Sequence, residues 1–529
     1  MIETPVFSKA AVAAPHHLAS ETGRALLAEG ANAIEAMIGM AATIAVVYPH
    51  MNSIGGDGFW LIREPSGVVL YIEACGPAGS LAMIESYRKL GYDTIPARGP
   101  LAALTVPGTV GGWQQALEVS QAVGGRLPRA DLLHDAIRLA KEGYPQSKTE
   151  AKAQPFEFAA LSEAPGFAET FLVDGKIPPE GTLRQRLRLA DTLAHLAKAG
   201  FEDFYRGDIA RELAADMERF GIPVTREDLR TYHATMRQPL SLRLPGRTHY
   251  NAPPPTQGLA SLVILGIFYR LNVKQAESFQ HIHALIEASK RGLAIRDRVC
   301  TDYSFLLHES GDFLTPQALG FEASKIDMKR AAKFPLPPAE GDTIWMGAID
   351  AQGRAVSFIQ SIYWEYGSGC VLPATGVHLQ NRGFSFSLDP KAKDPLKPGR
   401  RPFHTLNPPL TVFDDGRVLS YGSMGGDGQP QFQAQVMTRI LFGQGLADAV
   451  DAPRFLFGKT WGDATTTLKL EPRFDSNLME QLDKAGHEIE VLAEPYASKA
   501  GHAGALMRHP NGRVDATHDA RSDGDALGV

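Results

Sequence analysis

Apolar residues along this chain change their spacing several times, and the changes mark where helices give way to strands. Residues 32–47 are almost all apolar or small, which predicts a buried helix that Tyr48-Pro49 stops. A shorter helix precedes it, with Ser20 as the expected cap and Gly30 as its terminator. After the turn Ile54-Gly55-Gly56-Asp57-Gly58, the run Phe59-Trp60-Leu61-Ile62 has the pattern of a strand covered on both faces, and residues 68–72 are its expected partner.

Helical spacing then dominates from Leu132 to about Lys333, strongest at 132–143, 184–198, 209–220 and 282–298. The Pro-rich stretch 335–342 ends that regime. Strands resume at 343–364 and 410–421, and helices at 433–442 and 476–486 are placed to cover them. Strands that are apolar on both faces need cover on both sides, so the expected packing is an α/β arrangement layered helix, sheet, sheet, helix. No internal repeat is present; the two Gly-Gly-Asp-Gly stretches, 55–58 and 425–428, sit in different surroundings.

Composition narrows the function classes. At 529 residues the chain exceeds the size at which one core stops growing, so two domains or one large two-lobed unit is expected. A net charge of -6, without basic runs interleaved with aromatics, argues against a nucleic-acid partner. The opening residues lack a basic start followed by an apolar core, and the longest apolar segment, 36–47, is too short to span a bilayer, so a cytoplasmic protein without membrane contact is expected. Cys75, Cys300 and Cys370 are too few and too scattered for a disulfide framework or a zinc site, and read as buried thiols.

The strand pair beginning at Thr343 carries the first candidate chemistry. Ala351-Gln352-Gly353 suits a three-residue hairpin loop, because Gly353 accepts positive φ. If Asp350 faces Arg354, counting back sets Thr343 across from Ser361, where β-carbons lie roughly 4.5–5.5 Å apart and two hydroxyls can share a hydrogen bond. A bulge would shift that register by one. A threonine hydroxyl is a poor nucleophile unless a base is held against it. A free α-amino group, with a pKa of roughly 7.7–8.0, is such a base, but Thr343 has one only once the Asp342-Thr343 bond is broken.

Acyl transfer also needs donors aimed at the developing oxyanion, and the turn Gly425-Gly426 after an apolar strand can present consecutive backbone N-H groups. Other signals are weaker. His281 and His283 are two apart at the start of a helical stretch, so they point about 200° apart and do not suit one metal ion. His16-His17 reads as a solvated helix entry. Lys397, Arg400 and Arg401 form a basic loop that either attracts an anionic substrate or is simply solvated. No metal or other cofactor is expected.

The order of these segments resembles the γ-glutamyltranspeptidase family over nearly the whole chain. The resemblance rests on GANAIEAMIGMAATIAVVYPHMNSIGGDGFW near the start, TVPGTVGGW at 105–113, GDTIWMGAIDAQGRAVSFIQS at 341–361, YGSGCVLPATGVHLQNRG, GRRPFHTLNPP and YGSMGGDGQPQ. It implies a four-layer αββα sandwich with additional helices, the N-terminal nucleophile hydrolase fold. It also implies self-cleavage into 1–342 and 343–529, which together form one structural unit, a heterodimer of the chain's own fragments with or without further dimerisation. Thr343 matches the family's nucleophile, Ser361 the hydroxyl that supports it, and Gly425 and Gly426 the oxyanion pair.

Departures from the family concern the glutamyl clamp. Where transpeptidases hold the α-carboxylate with an arginine and two serines, this sequence has Glu73-Ala-Cys-Gly-Pro77 and His404-Thr405; where they hold the α-amino group, it has Tyr363, Arg382 and Ser385. An arginine there favours an anion. The pattern resembles the oxamate amidohydrolase-like branch, implying an acyl-enzyme on Thr343 and hydrolysis of a small carboxylate-bearing amide such as oxamate to oxalate and ammonia. Alternatives are a γ-glutamyl hydrolase or transferase, an acylase, and an unprocessed, inactive binding protein.

Overall fold

The structure is a computed structural model that describes residues 2–333, 342–458 and 467–529, with Asp342 described in its backbone alone. The Pro-rich stretch expected at 335–342 lies, but for that backbone, outside the described residues.

Two seven-stranded antiparallel sheets face each other. The first runs Asp525–Gly528, Ala11–Ala14, Asp342–Ile349, Ala355–Tyr363, Asp57–Arg63, Val69–Ala74, Thr235–Arg237. The second runs Val6–Phe7, Val514–Thr517, Ala503–Arg508, Val418–Ser423, Leu410–Phe413, Arg247–Asn251, Leu240–Leu244. Each sheet takes strands from both sides of Thr343. One apolar cluster joins the outer face of the first sheet to helices that include Ala33–Val47 and Thr109–Ala122; another joins the second sheet to Gly258–Arg270, Phe279–Val299 and Gln429–Leu441. A third fills the space between the sheets. This is the expected αββα sandwich with additional helices.

The helix Ala33–Val47 is buried along its whole length, and its start is specified by a capping box: the Asn32 side chain accepts from the Ile34 and Glu35 N-H groups while Glu35 takes the Asn32 N-H. The helix before it corrects two expectations. It begins at His17 with His16 as cap, and Ser20 lies inside it, donating to the Asp525 carbonyl. Nor is His16 solvated: it is 1% exposed, stacked on His17 and edge-on to Tyr48. The strand Asp525–Gly528, from the far end of the chain, covers this entry, and the burial lowers the His16 pKa to about 3.

A third correction falls in the stretch expected to be helical throughout. Leu240-Ser-Leu-Arg-Leu244 alternates with period two and, with Arg247–Asn251, forms one edge of the second sheet. Strong helical periodicity on either side masks so short a strand.

The hairpin after Thr343 is as counted from Ile349↔Ala355 to Ile344↔Gln360, with Gly353 at φ +87°. The register then shifts, because Asp342 pairs with Tyr363, so Thr343 sits in an irregularity and is not squarely opposite Ser361. The hairpin tip is tied to the core: Asp350 accepts from the Arg354 backbone and guanidinium and from the Ala33 N-H.

Trp345, two residues beyond Thr343, fills the gap between the sheets. It does so where the second sheet presents Gly422 and Gly504; a β-carbon added at Gly504 would lie 2.5 Å from the indole Cζ3, and one at Gly422 would strike the indole more closely still. These glycines set how near the nucleophile strand comes to the second sheet. Gly422→Ala is expected to destabilise the protein by about 1–3 kcal/mol through overpacking, read from chemical denaturation midpoints.

Candidate active site

Thr343 is fully buried, and Gln429 Nε2 donates to its Oγ1 at 3.4 Å. Gln429 opens the helix Gln429–Leu441, directly after the short turn Gly426–Gly428. Gly425 and Gly426 both have positive φ, +121° and +51°, which is why this turn is built of glycine. No described residue accepts from the backbone N-H of either one. These two N-H groups precede a 13-residue helix whose first residue reaches the threonine hydroxyl, and backbone donors at a helix N-terminus can stabilise negative charge.

Buried amides hold this arrangement. Asn407 donates to Gln429 Oε1 and to the Thr405 carbonyl, and its own Oδ1 accepts from Asn251 and Ser261. Gln257 Nε2 bridges the carbonyls of Thr405 and Gly426 at 2.6 and 2.7 Å, while Arg296 anchors both Gln257 and Asp427. The glycine turn and the His404-Thr405 segment are therefore fastened to each other through side chains from distant parts of the chain.

Ser361 accepts the Tyr363 N-H at 2.7 Å. Tyr363 has φ +83°, a strained conformation for a non-glycine residue, and that backbone turn lays its ring against Arg382, whose Cζ lies 3.8 Å from the ring centroid. Arg382 is 1% exposed. Its Nη1 donates to Thr405 Oγ1 at 3.3 Å, whereas Nε and Nη2 are buried without a hydrogen-bond partner among the described residues. Burial lowers its pKa to about 10 against the opposing pull of Tyr363 and Asp57, so it is still a cation at neutral pH. Ser385 donates to the Arg382 carbonyl and so holds the turn Arg382–Ser385.

His404 is fully buried, edge-on to Phe59, with Nε2 at 3.4 Å from Asp57 Oδ2. That separation is within ion-pair range but is not aligned as a hydrogen bond, and neither ring nitrogen has another partner among the described residues. Burial first, then the Arg382 and Arg401 cations, push the His404 pKa well below its usual value. Asp57, paired in register with Ser361, accepts the Gly76 and Gly108 N-H groups on Oδ1. Burial raises its pKa to about 7, against the opposing pull of Arg382.

The two arginines of the basic loop are locked, Arg400 by Thr301 and Asp394 and Arg401 by Glu73, whereas Lys397 is exposed, its ammonium 5.6 Å from the Phe305 ring centroid. Among the described residues, His283, Glu287 and His487 are the group with metal-ligand spacing. Protein partners engage them: His283 bonds His487 and the Asp327 carbonyl, and Lys290 bonds Glu287. His281 points elsewhere, to Thr438, as its helical spacing from His283 requires.

Sequence reasoning overlooked Asp57, Gln257, Asn407 and Gln429. Asp57 and Asp427 share the Gly-Gly-Asp-Gly pattern that was noticed without a role, and Asn407 and Gln429 lie inside the motifs that carried the resemblance.

A hydroxyl held by an amide donor, two glycine N-H groups and a buried guanidinium are the parts needed for acyl transfer from a small anionic amide. The chain matches the family model described as gamma-glutamyltranspeptidase over residues 19–529. It is 50% identical over 517 residues to the oxamate amidohydrolase proenzyme of Klebsiella pneumoniae, covering 97% of each chain. It is 35% identical to the glutathione hydrolase-like YwrD proenzyme of Bacillus subtilis, covering 100% of each. Among solved structures, cephalosporin acylase from Bacillus halodurans superposes with a TM-score of 0.90 at 30% identity, covering 100% of this chain and 97% of that one. The chain is an amidohydrolase that belongs to the γ-glutamyltranspeptidase family of N-terminal nucleophile hydrolases.

Proposed function

We propose that the chain cleaves itself between Asp342 and Thr343 and that the freed threonine hydrolyses oxamate to oxalate and ammonia. The two fragments, 1–342 and 343–529, stay together because each contributes strands to both sheets. The new α-amino group of Thr343 takes the proton from its own Oγ1, and Oγ1 attacks the amide carbonyl. Gly425 and Gly426 stabilise the oxyanion, and Ser361 and Gln429 position the hydroxyl. The amine then protonates the departing ammonia, and water, deprotonated by the same amine, releases oxalate.

One observation carries the substrate assignment: Arg382, a buried guanidinium with two donor nitrogens unmatched by described residues. Its fork suits a carboxylate held by paired hydrogen bonds, with Thr405 and His404 beside it. The same cation works against a glutamyl ammonium, since two like charges at 4 Å repel by about 4 kcal/mol at an effective dielectric constant of roughly 20. The relative named for oxamate has half its residues in common with this chain, which supports the same reading. Three buried free cysteines fit a reducing compartment such as the cytoplasm.

Two experiments test the proposal. Denaturing electrophoresis of purified protein is expected to separate fragments 1–342 and 343–529, while Thr343→Ala gives a single band and loses about a thousandfold or more of the ammonia release. Arg382→Ala in the processed enzyme is expected to lower kcat/KM for oxamate by about 30-fold or more, the equivalent of roughly 2–5 kcal/mol for truncating one side of a buried charge pair. Faster turnover of a γ-glutamyl anilide than of oxamate by the unaltered enzyme would reverse the substrate assignment.

A further inference from the structure

Asp57 has no part in the chemistry described so far, yet it is buried within reach of both side chains that would receive a substrate carboxylate. Its Oδ1 is occupied by the Gly76 and Gly108 N-H groups, so Oδ2 is the oxygen turned to His404 Nε2, 3.4 Å away. The main chain of His404 is fixed, its backbone N-H donating to the Pro255 carbonyl and its carbonyl accepting from the Gln257 N-H, and Phe59 packs edge-on against the imidazole. His404 Nδ1, on the side of the ring away from Asp57, is buried and has no described partner. The charged and titratable groups around the pair are Arg382 and Arg401, which act on His404, and Arg382, Cys75, Tyr205 and Tyr232, which interact with Asp57.

We infer that Asp57 and His404 form one proton-accepting unit, and that a carboxylate binding at Arg382 brings one proton from solvent onto that unit, making His404 a donor to the ligand. The inference rests on the proposed carboxylate site. Above about pH 7 the free pair carries one proton: Asp57 is a carboxylate facing His404 Nε2-H, and Nδ1 offers a lone pair. Arg382 is then the cation that offsets Asp57. A bound carboxylate engages that same cation and leaves two buried anions around it, an arrangement relieved when one takes up a proton. With two protons on the pair, Asp57 and Nε2 share one, and the other sits on Nδ1, where it donates to the incoming oxygen. No bond other than O-H and N-H changes.

The direction of the pH dependence follows. Burial places the Asp57 pKa in the free enzyme at about 7, and the bound anion raises it further. Carboxylate affinity is therefore level below about pH 7 and falls by about tenfold per pH unit above it, as long as the bound form keeps its proton. An amide at position 57 imitates the protonated acid: with its oxygen held by the two glycine N-H groups, its NH2 faces His404 Nε2 and leaves the ring proton on Nδ1.

The test is isothermal titration of oxalate into the processed enzyme at pH 8, in two buffers of different ionisation heat. The expected result is uptake of close to one proton per oxalate by the unaltered enzyme, and close to none by Asp57→Asn, whose oxalate affinity is level between pH 6 and 9. Asp57→Ser takes its place if Asp57→Asn does not fold, because it likewise removes the titrating carboxylate and must show close to no uptake, which separates Asp57 from the Thr343 α-amine. Oxamate turnover with pH-independent oxalate binding and no proton uptake overturns the Asp57-His404 unit but leaves the substrate intact. Equal uptake by enzyme and variant overturns it as well. Neither oxamate turnover nor oxalate binding overturns both readings.

Discussion

The strand Asp342–Ile349 pairs with Ala355–Tyr363 along one edge and, over residues 347–349, with Ala11–Ala14 along the other, and the position of every other group in the site is referred to it. Its neighbours are Ala11–Ala14 and Ala355–Tyr363, the helix Ala33–Val47 packs on one side, and Trp345 fills the other against Gly422 and Gly504. Its far end is thus held on four sides, and at its near end the Thr343 side chain is buried and reached by Gln429, at the end of the glycine turn on the facing sheet. The inter-sheet distance, set by an indole against two glycines, thus governs how the Thr343 hydroxyl lies relative to the glycine turn and Gln429.

Around this strand the protein buries an unusual amount of polar chemistry. Gln257 with two carbonyls and Asn407 with Gln429 are satisfied networks, and such networks fix a single arrangement because each partner lost leaves an unpaired polar group in a dry interior. Arg382, Asp57 and His404 are different. They are as buried as the others, but several of their nitrogens and oxygens lack described partners. The contrast separates groups whose bonding is complete within the fold from groups with polar atoms left over, and Asp57, noticed only as part of a glycine turn, belongs with the second set.

The local signals in the sequence were those with short reach. The apolar helix stopped by Tyr48-Pro49, the hairpin about Gly353, the doubly covered strand after Gly58 and the glycine pair at 425 and 426 depend on residues a few positions apart, and they were legible for that reason. Reading failed where a distant segment intervened, as when the C-terminal strand buries His16 and Thr301 and Glu73 take up Arg400 and Arg401, and where short alternating strands vanish between strong helices.

The sequence by itself determined the layered α/β architecture, the family and the candidate nucleophile, because hydrophobic period and motif order are properties of neighbours along the chain. Only the tertiary structure decided that Thr343 meets Gln429, that Arg382 lies buried against Tyr363 with donors to spare, and that Asp57 faces His404. Those encounters join residues tens to hundreds of positions apart, and their electrostatics come from the exclusion of water, which exists only once both sheets and both helical layers have closed.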